Sequence, residues 1–173
     1  QWTNQATMGT RVVPPSLALE HGSELSFGDL TLRIHHYGKA HTPYDLCVEV
    51  VEDKLTCVGD VAMDRRIANM DDGSFVGTFR TYDELQKNAG STIWLPGHGE
   101  PGAKVLQWNR ELFEGIYQPC EKAVKEGLPL AEAKALVLKD PRVVGRTGDT
   151  KGFEANIGKY VSLAYLEAEA AGF

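Results

Sequence analysis

Two β-prone runs, LCVEVV and LTCVG, are separated only by the turn residues Glu52, Asp53 and Lys54. Valine-rich segments joined by so short a polar connection pair as an antiparallel hairpin. Antiparallel pairing carries the residues before the first run and those after the second to one end. Those residues include His41, in AHTPYD, and Asp60, in VGD.

A third candidate arrives at the same place by a different route. Thr81 followed by Glu84 reads as a capping box that opens a helix over 81–88, with Gly90 ending it. STIWLPGHG then reads as a brief buried strand over 92–95. A strand reached through a helical crossover favours a parallel partner, so the residues after both strands lie at one edge. His98 therefore joins His41 and Asp60, and three metal-type side chains converge from three loops. Imidazole with carboxylate suits zinc, iron or manganese, and an aspartate can bridge two ions. The glycines of PGHG let the backbone turn sharply enough for His98 to face inward.

Taken singly, each motif has an ordinary reading: a solvated loop histidine, a Gly-Asp turn, a Pro-Gly turn. Convergence is what favours a site. His21, His35 and His36 lack that support; His35 and His36 are neighbours on a strand, so at most one faces the core and neither is expected to ligate metal. Tyr44 can narrow the site or hydrogen-bond a substrate, or else pack on the following loop. Asp45 can fix the tautomer of a ligand histidine or cap the strand start. Phe75, Phe79 and Trp94 are candidates for a pocket lining, although Trp94 reads better as core. Cys47, Cys57 and Cys120 form no C-x-x-C pair and read as buried or half-buried thiols, with Cys47 and Cys57 on opposite faces of their hairpin.

Elsewhere, residues up to Pro15 read as an irregular opening, and strands are expected over 24–27 and 30–35 around Gly28-Asp29. The remainder is helical: 105–126 with a break or kink at Pro119, 131–138 opened by Pro129 in its first turn, and 156–170 with Ile157, Tyr160, Val161, Ala164 and Tyr165 inward. Strands first and helices last is an α+β order. A net charge of −6 with no basic cluster argues against a nucleic-acid partner. No apolar run matches a membrane span and no secretory signal opens the chain, so a soluble protein is expected, cytoplasmic or periplasmic. Gln1 in place of methionine reads as a processed, trimmed or partial chain.

AHTPYD, VGD and LPGHG, in that order and at those separations, resemble the last three metal motifs of the metallo-β-lactamase superfamily. The likeness is strong over 25–101, and the helical tail resembles the quinoprotein-relay-like branch. The resemblance implies the C-terminal half of an αββα sandwich, with residues 1–104 as an incomplete sheet portion and 105–173 as a helical tail packing on it. It implies that His41 ligates a first metal, His98 a second, and that Asp60 bridges them, with zinc favoured and iron or manganese as alternatives. The implied reaction is hydrolysis of an ester, thioester, amide or phosphoester of a small-molecule substrate by metal-activated water. The family's H-x-H-x-D-H motif is absent from this sequence, so the parent protein is expected to be a hydrolase and this chain alone inactive. The alternative is a non-catalytic module that binds a partner, the missing N-terminal half or a second copy through an exposed sheet. A diiron redox role is a third, weaker reading.

Overall fold

A computed structural model describes residues 8–172. Residues 1–7, the start of the expected irregular opening, and Phe173 lie outside the described residues. Five strands come first: β1 (Glu24–Phe27), β2 (Leu30–His35), β3 (Cys47–Val50), β4 (Leu55–Gly59) and, after helix α1 (Phe75–Asn88), β5 (Ile93–Pro96). Helices α2 (Val105–Lys125), α3 (Leu130–Val137), α4 (Pro141–Val144), a short 3-10 turn (Thr147–Asp149) and α5 (Phe153–Ala171) complete the chain. The strands lie side by side in sequence order. The first four pair antiparallel and β5 joins β4 in parallel, as a helical crossover dictates. The result is an α+β domain.

Cross-strand register sorts the sheet into two chemically different faces. Glu24, Arg33, Glu49, Thr56 and Trp94 form one row, and Leu25, Leu32, Val50, Leu55 and Ile93 form a row on the opposite face. A second apolar row, Ile34, Val48, Cys57 and Leu95, runs beside the latter. The helices cover the polar-lined face: Trp94, Val58 and Cys47 pack with Tyr82 and Leu85 of α1 and with Val105 and Leu106 of α2. A second cluster lies among the helices, where Leu112, Phe113 and Ile116 of α2 meet Ile157, Tyr160 and Val161 of α5. The apolar rows are left half-open, with Ile93 and, at the β1 edge, Phe27 exposed.

Under the helices, Glu49 is 1% exposed yet fully partnered. It accepts hydrogen bonds from Gly90 N at 2.7 Å and Arg33 Nη1 at 3.2 Å, and pairs with His35 Nε2 at 2.9 Å. Those contacts tie β2, β3 and the α1–β5 connection together. They also give His35 an inward, structural place, while His36 Nδ1 pairs with the Asp45 carbonyl at 2.8 Å.

Three helix boundaries depart from the sequence expectation. Thr81 does not open α1; the N-cap lies nearly two turns earlier, at Ser74, which accepts from Gly77 N at 2.9 Å. Inside the helix the Thr81 hydroxyl donates back to the Gly77 carbonyl. Pro119 does not divide the second helix, which runs through it as one element. Apolar residues are buried on both sides of the proline, Ile116 before and Cys120 and Ala123 after, and their burial offsets a penalty of about 3 kcal/mol. Pro129 serves as the N-cap of α3 rather than its first helical residue.

Phe75 and Trp94 are core residues, and Phe79 packs against the helical cluster. All three thiols are free, Cys47 and Cys120 buried and Cys57 half-buried. Cys57 pairs with Val48 and therefore faces away from Cys47. No helix among the described residues is long and apolar enough to cross a membrane.

Candidate metal centre

The β3–β4 hairpin and the parallel β4–β5 pair place His41, Asp60 and His98 at one edge of the sheet. His41 Nε2 stands 3.8 Å from Asp60 Oδ2, and His98 Nε2 stands 3.6 Å from Asp60 Oδ1. Each imidazole thus faces a different oxygen of one carboxylate, beyond hydrogen-bond distance on both sides.

Asp60 owes its position to a register irregularity. A shift between Cys57 and Gly59 sets Gly59 opposite Pro96, and Gly97 N donates to the Gly59 carbonyl at 2.7 Å. The backbone of Gly97 then runs directly against the Asp60 side chain: a Cβ at position 97 would lie 2.1 Å from Asp60 Oδ1. His98 is held through Asp64, whose backbone N–H donates to the His98 carbonyl at 2.9 Å. Next to it Gly99 adopts a φ of +89°, and its missing side chain leaves room for the Asp64 backbone.

The His41 loop is braced differently. Asp45 accepts from Thr42 N at 2.6 Å and Thr42 Oγ1 at 2.9 Å, closing the loop on itself. Tyr44 projects outward and is 85% exposed. The carbonyl of Ala40 accepts from Ser74 N at 2.8 Å, which ties the residue before His41 to the start of α1. Behind the edge, burial pushes the Tyr160 hydroxyl above its ordinary pKa, and the nearby Asp60 charge adds to the effect.

Among the described residues, no group of three or more His, Cys, Asp or Glu side chains is gathered around a single point suited to a metal ion. The geometry explains why. The carboxylate sits between the two imidazoles, so the donors fall into two pairs, His41 with Asp60 and Asp60 with His98. A cation in either gap would have two donors from this chain, short of the four that zinc ordinarily takes. The donor set and the side-chain-free backbone at Gly97 fit a carboxylate shared between two cations, each needing further ligands.

Sequence reading placed the three edge residues but missed those that brace them. Asp64 and Ser74, whose N–H groups hold the His98 and Ala40 carbonyls, carry no local motif pointing to the site.

No family model matches the chain, and a search of curated proteins also returns no match. Solved structures do match. A metallo-β-lactamase from Pontibacter korlensis superposes with a TM-score of 0.55 at 18% identity, over 66% of this chain and 55% of that one. The DIM-1 metallo-β-lactamase, in a crystal exposed to ceftazidime, gives 0.51 at 20% identity, over 65% and 53%. The chain spans about half the length of these proteins. Its five-stranded sheet and flanking helices are part of a metallo-β-lactamase fold.

Proposed function

We propose that this chain supplies one side of a two-cation hydrolytic centre, with His41 on one cation, His98 on the other and Asp60 between them. The observation that carries the reading is the placement of Asp60, one oxygen toward each imidazole at 3.8 and 3.6 Å. Zinc suits this donor set best, with iron or manganese as alternatives. When bound, such ions lower the pKa of water toward neutrality and polarise the bond to be cleaved. The chain's own residues hold the donors and set their spacing, while Gly97 keeps the Asp60 carboxylate close to the sheet. The substrate class is a small molecule with an ester, thioester, amide or phosphoester bond. With two donors per cation, this chain alone is inactive, and a second polypeptide segment completes each coordination shell.

The same reading accounts for the uncovered sheet face. Rows of apolar side chains across five strands mark an interaction surface. The occupant proposed is the segment that completes the metal shells. A second reading, favoured by that face alone, is a non-catalytic module that self-associates.

Zinc titration against a chromogenic chelator tests the first reading, with wild type compared with Asp60→Ala, His41→Ala and His98→Ala. Weak uptake, as two donors per cation allow, lowered further by all three substitutions, is expected. Uptake that ignores all three, or none in the wild type even with zinc in large excess, overturns it. Light scattering separates the second reading: a monomer at micromolar concentration that still takes up zinc rules out self-association as the main role.

A further inference from the structure

Two polar side chains buried among the helices touch no candidate ligand, yet both reach the same short loop. Tyr82 of α1 is 0% exposed and Asn109 of α2 is 1% exposed. The Tyr82 hydroxyl lies 2.8 Å from the Val61 carbonyl and also within reach of Asn109 Oδ1, so its single proton has two acceptors. Asn109 Nδ2 donates to the Met63 carbonyl at 3.2 Å. Val61 directly follows Asp60, and Met63 directly precedes Asp64, whose N–H holds the His98 carbonyl. Burial pushes the Tyr82 pKa well above its ordinary value, which keeps the phenol a donor.

A packing role alone would be served by phenylalanine and leucine. Polar groups this deeply buried are costly unless matched, and here the matches fall on the Val61 and Met63 carbonyls of the loop that follows Asp60. That loop has no ladder partner of its own. Without the pair, its two inward carbonyls lose their donors, and the Asp64–His98 bond alone holds the far end of the loop.

We infer that Tyr82 and Asn109 are positioning residues that set the Asp60–His98 spacing through the 61–64 loop. This rests on the metal-centre reading above. Residues of this kind, acting behind the ligands, typically change metal affinity by roughly 10- to 100-fold.

The test uses Co²⁺ as the probe, with affinity taken from chelator competition and site geometry from the visible absorption band. Tyr82→Phe and Asn109→Leu keep the packing volume. Ile116→Ala, in α2 but buried in the other cluster, which holds no residue of the 61–64 loop, is the control for destabilisation alone. Expected results are a loss of Co²⁺ affinity of about tenfold or more with an altered band for both polar substitutions. Ile116→Ala should lower the melting temperature while leaving affinity and band unchanged. Unchanged affinity and spectrum in Tyr82→Phe and Asn109→Leu overturn the inference while leaving the metal centre standing. Equal affinity losses in all three variants reduce the pair to a stabilising role and overturn it too. A wild type that takes up no Co²⁺ even with the ion in large excess removes the metal centre, and the inference with it.

Discussion

At Gly97 the candidate site depends on the absence of one methyl group. A side chain there would meet Asp60 Oδ1 at 2.1 Å and the Gly59 backbone at 2.9 Å, so either the carboxylate or β5 must move. Gly97→Ala is therefore expected to cost about 1–3 kcal/mol in denaturant unfolding and to weaken zinc binding as well. Gly102→Ala is the matched control, because a Cβ at Gly102 meets nothing within 4 Å. Equal behaviour of the two variants in both measurements would sink the assignment of Gly97 to the site. The meeting of His41, Asp60 and His98 at one edge was legible in sequence, since strand pairing alone dictates where they fall. The need for glycine at 97 was legible only as a turn. Its close approach to Asp60 comes from the Cys57–Gly59 register shift, which no residue pattern announces. The roles of Asp45 and Tyr44 were likewise open, and the structure uses the Asp45 carboxylate to close the Thr42 loop.

Among the elements, strands were read almost to the residue, because alternation and short polar turns are local signals. Helix starts were read poorly where the capping partners come from elsewhere in the chain. The Thr81–Glu84 pattern has the form of a capping box, but α1 starts at Ser74, where the position three residues on is Gly77. In place of a capping box, the Ser74 N–H goes to the Ala40 carbonyl, while Glu167 of α5 accepts from Phe75 N at 2.7 Å and pairs with the Ser74 hydroxyl. A cap built across that separation leaves no spacing rule to detect. It has a measurable consequence. Ser74→Ala removes the side-chain acceptor of Gly77 N and a contact of Glu167 together, with an expected loss of about 1 kcal/mol, up to 2. Thr81→Ala, which deletes only a back-bond inside the helix, should stay within about 0.5 kcal/mol of wild type. Chemical denaturation of the two variants decides between the starts; the reverse order of losses would restore Thr81 as the cap.

For the whole molecule, the unresolved tension is a sheet with one face under helices and the other half-open. Sequence alternation identified the strands but not which face the helices would take. That choice follows from the β4–α1–β5 crossover and from a buried Glu49 whose partners all lie on the covered side. The three thiols sample the outcome. Burial pushes the Cys47 and Cys120 thiols up to about 12, from an ordinary value of 9.0. A folded-state pKa raised above the unfolded one contributes stability that is intact below about pH 9 and lost as pH climbs toward 12. Unfolding midpoints are thus expected to fall across that alkaline window through these two groups. Near neutral pH both thiols stay protonated and enclosed, and they should resist alkylation by iodoacetamide. Cys57 sits half-buried in the uncovered row beside Val48 and Leu95, and it should react first. A polypeptide that docks on that face would slow Cys57 modification without altering the other two, as followed by mass spectrometry of the alkylated peptides. Fast labelling of Cys47 or Cys120 would contradict the packing of the covered face. Protection of Cys57 in the chain alone, lost on dilution, would instead identify a second copy as the occupant of the sheet.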